Sequence, residues 1–169
     1  REALGAIWLY RGAENPKGTP STSGGVLMSF DSGSGISLKR GVEDNAQEVA
    51  GREGPDEIYC WGLTSEGKLS QQRAKPDFCL YTLAYFFGSC TSTSAGTTAY
   101  KHTISPLASP EHPSFTLTQR RGNSIMKERF AHNLIEGFTL TLDDKWVKME
   151  ADLVGAGKRD VNYTMEIVK

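Results

Sequence analysis

Phe138-Thr139-Leu140-Thr141-Leu142, the polar turn Asp143-Asp144-Lys145, and then Val147-Lys148-Met149-Glu150-Ala151-Asp152-Leu153-Val154 decide the fold class of this chain. In an extended backbone successive side chains point to opposite faces, so Phe138, Leu140 and Leu142 share one face and the threonines the other. After the turn, Val147, Met149, Ala151 and Leu153 line one face and Lys148, Glu150 and Asp152 the other. Two such segments around a polar turn predict a hairpin with one apolar and one polar face. Upstream, Ser114-Phe115-Thr116-Leu117-Thr118 repeats the alternation and predicts a third strand in the same antiparallel sheet.

The rest of the chain reads as built around that sheet. Residues 6–10, with Trp8 and Tyr10, predict a short strand, followed by a loop where Gly12, Pro16, Gly18 and Pro20 interrupt regular structure. Val26, Met28 and Phe30 predict another strand, and Asp31-Ser32-Gly33-Ser34-Gly35 a turn. Ile36 and Leu38 share a face of the next strand. The mixed-charge run 39–56, containing Lys39, Arg40, Glu43 and Asp44, reads as a solvated loop or arm. Residues 57–64, with Tyr59 and Trp61 alternating with Ile58 and Cys60, predict a central strand between two layers. The polar segment 68–75 reads as an edge strand or loop.

One helix is expected, over Pro76–Phe87. Proline suits a first turn, Asp77 complements the positive helix start, and Gly88 suits a left-handed cap. Phe78, Leu80, Tyr81, Leu83, Ala84, Phe86 and Phe87 cover nearly all of its circumference, which predicts burial against the sheet on one side and against a second surface on the other. Another chain is one candidate for that surface, and Phe78, Tyr81, Tyr85 and Phe86, with Lys39, Arg40, Glu43 and Asp44, are candidate subunit contacts. Residues 90–98 read as a loop and 100–104 as a short strand.

With 169 residues, 18 glycines and seven prolines, a single strand-rich domain over residues 1–169 is expected. A net charge of −1 disfavours a surface made to grip phosphates. Cys60, Cys79 and Cys90 are odd in number and match no metal spacing, and His102, His112 and His132 form no ligand cluster, so no cofactor and no metal are expected. No apolar run is long enough for a membrane helix. The chain opens on Arg1 and 163–169 still reads as strand, which leaves open that this is the N-terminal part of a longer chain. Arg120-Arg121-Gly122-Asn123 reads as a solvated hairpin tip, and Asn162-Tyr163-Thr164 as a chance match to the glycosylation pattern.

In order along the chain stand Trp61-Gly62 in a strand, a polar strand, the helix closing in Gly88-Ser89, and then Ala99-Tyr100-Lys101-His102-Thr103. Pro113-Ser114-Phe115-Thr116-Leu117 follows, and Leu140-Thr141-Leu142 leads to Asp152-Leu153-Val154-Gly155-Ala156-Gly157-Lys158. In this order the stretch resembles the tail tube proteins, or major tail proteins, of long-tailed bacteriophages. The resemblance implies a mainly β, antiparallel sandwich or barrel-like tail-tube fold with one packed helix. It implies a non-enzymatic virion protein, made in the host cytoplasm, that self-assembles into stacked hexameric rings around a conduit for double-stranded DNA. Tape measure and terminator proteins are the other implied partners, and no membrane is involved. On this view Lys148, Glu150 and Asp152 are candidate lumen-facing residues. Two rival classes remain open. One is a monomeric β-sandwich module binding carbohydrate or protein through Trp8, Trp61 and Trp146; the other is a small hydrolase using Cys90 or Ser89 with His102.

Overall fold

The computed structural model describes residues 6–10, 12–22, 24–44, 58–121, 126–143 and 145–161. The strands are β1 (Ala6–Tyr10), β2 (Gly25–Met28), β3 (Gly35–Asp44), β4 (Ile58–Gln71), β5 (Gly88–Ser94), β6 (Tyr100–Pro106), β7 (Phe115–Arg121), β8 (Met126–Leu142) and β9 (Val147–Val161). One helix, α1 (Pro76–Phe87), lies between β4 and β5. Seven strands form an antiparallel sheet in the order β2-β1-β7-β8-β9-β4-β3, while β5 and β6 pair only with each other. The fold is therefore mainly antiparallel β with a single helix among the described residues, as the alternation predicts.

The sheet is curled, because its two outer strands are consecutive in sequence. Residues 29–34 join β2 to β3 and are tied to the end of β4: Asp31 N–H donates to the Ser70 carbonyl at 2.9 Å, and the Gln71 amide donates to the Ser29 carbonyl at 2.8 Å. Gln119 of β7 reaches across the curl, accepting from Ile36 N–H at 3.2 Å and donating to the Ile36 carbonyl at 2.8 Å. A side-chain amide thus imitates a strand partner where β3 meets β7. Its amide also donates to Glu128 at 2.7 Å, and Glu128 is held by Arg159 at 3.1 Å, so this buried polar group is satisfied.

Inside the curl lie Ile7, Leu9, Ile36, Leu69, Phe115, Leu117, Phe130, Met149, Ala151 and Leu153, and α1 adds Phe78, Tyr81 and Tyr85. The helix ends as its residues predict, with Gly88 in the left-handed region (φ 85°) and its N–H on the Ala84 carbonyl. Phe78 meets Phe30 edge-on at 5.1 Å, Tyr81 and Tyr85 pack on Phe115 at 5.6 and 4.9 Å, and the Tyr81 hydroxyl donates to the Tyr10 carbonyl at 2.7 Å. Burial raises the Tyr81 hydroxyl well above its usual range and pushes Tyr85 up to about 12.

Several expectations change. Of residues 68–75, 68–71 are the end of β4, paired with β9 and, at Lys68, also with Gly35 of β3, while 72–75 form a loop leading into α1. The first half of β4 is not between layers: Ile58, Tyr59, Cys60, Trp61 and Leu63 are exposed. The reason is that β4 pairs with β9 only from Ser65 onward. Residues 90–94, read as loop, belong to β5, whose Ser and Thr side chains stand in solvent. The polar face of β7 is covered as well, with Ser114, Thr116 and Thr118 fully buried. Residues 45–57, 122–125 and 162–169, which include most of the predicted charged arm, part of the basic tip and the glycosylation-like triplet, lie outside the described residues.

Candidate assembly surfaces

The arm predicted at 39–56 begins as a strand, Lys39 to Asp44 of β3 pairing with Ile58 to Thr64 of β4. Its direction is set at a bulge. Gly62, at φ 57°, is the extra residue opposite the Arg40–Gly41 step, a conformation glycine adopts without a Cβ penalty. Across the ribbon the Trp61 ring lies on Gly41, where a Cβ would stand 2.6 Å from the indole. Beyond Ser65 the ribbon leaves the body of the sheet.

On β3 the period of two puts Ile36, Leu38, Arg40 and Val42 on one face. Ile36 is buried in the core, whereas Val42 is 58% exposed. Cys60 lies opposite Val42, so this face also carries Cys60 and Ile58, with Leu63 opposite Arg40. Among the described residues, the inner face of the sheet therefore continues onto the ribbon without a cover. A similar overrun occurs at the β8–β9 turn: Phe138 packs on Phe86 at 5.2 Å, but Leu140 and Leu142 of the same face are exposed, as is Val147 opposite Leu142. Trp146 is half-exposed there beneath the Arg73 guanidinium, 4.4 Å from its ring centre.

Lys148, Glu150 and Asp152 alternate with buried Met149, Ala151 and Leu153, which places them on the outer face of the sheet. They belong to a run of cross-strand ion pairs. Lys68 of β4 lies 3.0 Å from Glu150 and 3.7 Å from Asp152, Lys148 lies 3.2 Å from Asp143, and Lys39 lies 2.8 Å from Glu66. The hydrogen bond and charge of Glu150, then the charge of Asp152, raise Lys68 above the usual lysine range. Acidic and basic groups thus alternate across this face, a different surface from an uncompensated acidic one.

The helix residues divide. Phe78, Tyr81 and Tyr85 are buried in the protomer's own core, so the surface expected to meet another subunit is already occupied; Phe86 is half-buried between Phe87 and Phe138. Lys39, Arg40, Glu43 and Asp44 are exposed on the arm. Of the three tryptophans, Trp8 is buried, with its indole N–H lacking a hydrogen-bond acceptor. Trp61 and Trp146 stand at opposite ends of the sheet and do not converge.

His102 faces Ser92, whose hydroxyl lies 2.7 Å from Nδ1 on the exposed β5–β6 ribbon. Cys90 faces Ile104 instead, and Ser89 lies on the other face, so the postulated nucleophile–base pairs are not assembled. Among the described residues no group of three or more His, Cys, Asp or Glu side chains is placed to hold a metal. No helix among them is long and apolar enough to cross a membrane.

Sequence reasoning missed Glu14. Its buried carboxylate accepts from Gly18 N–H (2.9 Å), the Ser114 hydroxyl (2.8 Å), the Thr116 hydroxyl (2.7 Å) and His132 N–H (2.9 and 3.0 Å). His132 has a positive φ of 59°, at the irregularity in β8 where its N–H turns to the carboxylate. This clasp holds the loop after β1 over the hydroxyl face of β7, which explains why that polar face is not solvated. The one signal was distant from Glu14, in the hydroxyl alternation of Ser114, Thr116 and Thr118, which asks for polar partners once that face is covered.

No family model and no curated protein match the chain. Among solved structures it is similar to the SPP1 tail tube, determined by solid-state NMR and cryo EM, at 11% identity and a TM-score of 0.45, over 96% of this chain and 78% of that one.

Proposed function

We propose that this chain is a structural virion protein that self-assembles into stacked hexameric rings forming a phage tail tube, a conduit for DNA. The observation that carries the reading is the β3–β4 ribbon. A two-stranded ribbon is marginal in water by itself, and one bearing Val42, Ile58, Trp61 and Leu63 in solvent requires a cover that the described residues do not supply. The ordered resemblance along residues 61–158 supports a tail tube over other assemblies. Under this reading the ion-paired face with Lys148, Glu150 and Asp152 lines the lumen, where paired charges give DNA few cations to grip. Tape measure and terminator proteins would meet the ends of the tube.

A monomeric binding module is less well supported, because buried Trp8 and the widely separated Trp61 and Trp146 build no common aromatic platform. Negative-stain electron microscopy of the purified protein tests the proposal. Rings or tubes are expected, and dispersed monomers at every salt and protein concentration would rule it out.

A further inference from the structure

Arg120, at the end of β7, does not reach into open solvent as a hairpin tip would. It alternates with inward-facing Leu117 and Gln119, so it stands on the outer face of the sheet, half-buried, with its guanidinium 5.7 Å from the centre of the Trp8 ring. Directly opposite it on β8 is Lys127, also half-buried. Cross-strand partners hold their Cβ atoms about 5 Å apart, and like charges so placed repel. Among the described residues no carboxylate pairs with either cation, whereas the neighbours Arg129 and Arg159 hold Asp160 at 2.7 Å and Glu128 at 3.1 Å.

The layer beneath is short of acceptors. Thr118, two residues before Arg120, lies on the same face and directly opposite Trp8. Both side chains are buried, and neither the Thr118 hydroxyl nor the Trp8 indole N–H has a hydrogen-bond partner. The hydroxyl face of β7 therefore divides: Ser114 and Thr116 donate to Glu14, and Thr118 has no such acceptor. Buried donors without acceptors and half-buried cations without counter-ions are each costly. An anion rich in acceptor oxygens supplies what both lack.

We infer that Arg120 and Lys127, over Trp8 and Thr118, bind a phosphate dianion, free or as a monoester. Two unneutralised unit charges match a dianion better than the single charge of a carboxylate or a phosphodiester. The arginine fork takes two phosphate oxygens, and the lysine supplies a point charge. The site is separate from the ion-paired run around Lys148, Glu150 and Asp152, and it does not depend on the chain assembling into a tube.

The test is phosphorus NMR of inorganic phosphate mixed with the purified protein at about pH 8, where phosphate is close to doubly charged. Ionic strength is held constant with sodium chloride. A saturable broadening of the phosphate line is expected. Arg120→Gln and Lys127→Gln should each weaken binding by about tenfold or more, as for loss of a charge-assisted hydrogen bond. Lys101→Gln, which removes an exposed cation on β6, should leave it unchanged. Glycerol phosphate separates the two sources: it competes if the site takes monoesters and does not if it takes free phosphate alone. Acetate competing as well as phosphate, no broadening beyond a protein-free blank, or equal losses in all three variants would overturn the proposal. The phosphate line is read whether the protein is monomeric or assembled, so failure here leaves the tube reading standing.

Discussion

Glu14 shows how much one side chain can determine. A buried carboxylate without a close cation is normally costly, and here it is made tolerable by two hydroxyls and two backbone N–H groups that converge on it. Each of those donors would be orphaned by truncation. Glu14→Ala is therefore expected to destabilise the protomer by roughly 3 kcal/mol or more, since an unsatisfied buried polar group costs about 1–3 kcal/mol. Glu14→Gln, which keeps the shape but turns an NH2 toward donors, should cost less than Glu14→Ala and still more than ~1 kcal/mol. Urea unfolding of both variants followed by circular dichroism measures the order, and two variants within error of the parent would refute the clasp. Nothing local in the sequence marked this residue, because its partners Ser114, Thr116 and His132 come from distant strands. The residues legible without the structure were those whose role follows from neighbours in sequence: Pro76 and Gly88 at the helix ends, and Met149, Ala151 and Leu153 on the core face.

Among elements, the helix was legible in extent but not in employment. Its all-round apolar character suggested a second chain, whereas the curl of the sheet admits Phe78, Tyr81 and Tyr85 into the core, and the half-buried side meets Phe138 and the β5–β6 ribbon. β8 was legible only in its last third; upstream, Ala131-His132-Asn133 breaks the alternation, because the strand twists there at an irregularity that serves the Glu14 clasp. How α1 is seated has a measurable consequence at high pH. Burial, then the nearby Glu14 charge, keeps the Tyr85 proton on to about pH 12, although its hydrogen bond with Tyr81 acts the other way, while an unfolded chain releases that proton near 10. Between those values the folded state binds more protons than the unfolded state, so stability falls as pH rises. Tyr81 and Lys68 act in the same direction, so the informative quantity is a difference. The stability of Tyr85→Phe should fall less steeply than that of the parent between about pH 10 and 12, measured by thermal unfolding at stepped pH. Equal slopes would mean that burial of this hydroxyl is not linked to folding.

At the scale of the whole molecule, a well-filled curl carries two extensions that no described residue covers. Alternation alone could not reveal this, because Leu142 and Leu153 look alike in the pattern; only register and strand length show that one passes the end of the core and the other does not. For a chain that assembles, amide hydrogen exchange should distinguish the body from the extensions. Backbone amides of 39–44, 58–64 and 140–147 are expected to exchange quickly in dilute protein and to become protected on assembly. Those of 115–119 in β7 should be slow in both states, as these side chains are buried on both faces. Protection confined to other segments would place the interface elsewhere.

The bulge at Gly62 then acquires a mechanical meaning. The arm meets the body through a two-stranded neck, whereas the body is tied by the ladder of seven strands and the Gln119 bridge. Any filament built through such necks would concentrate its compliance at the joints. It would bend by swinging rigid units on short ribbons, and its stiffness would depend on the glycine that sets each ribbon's angle.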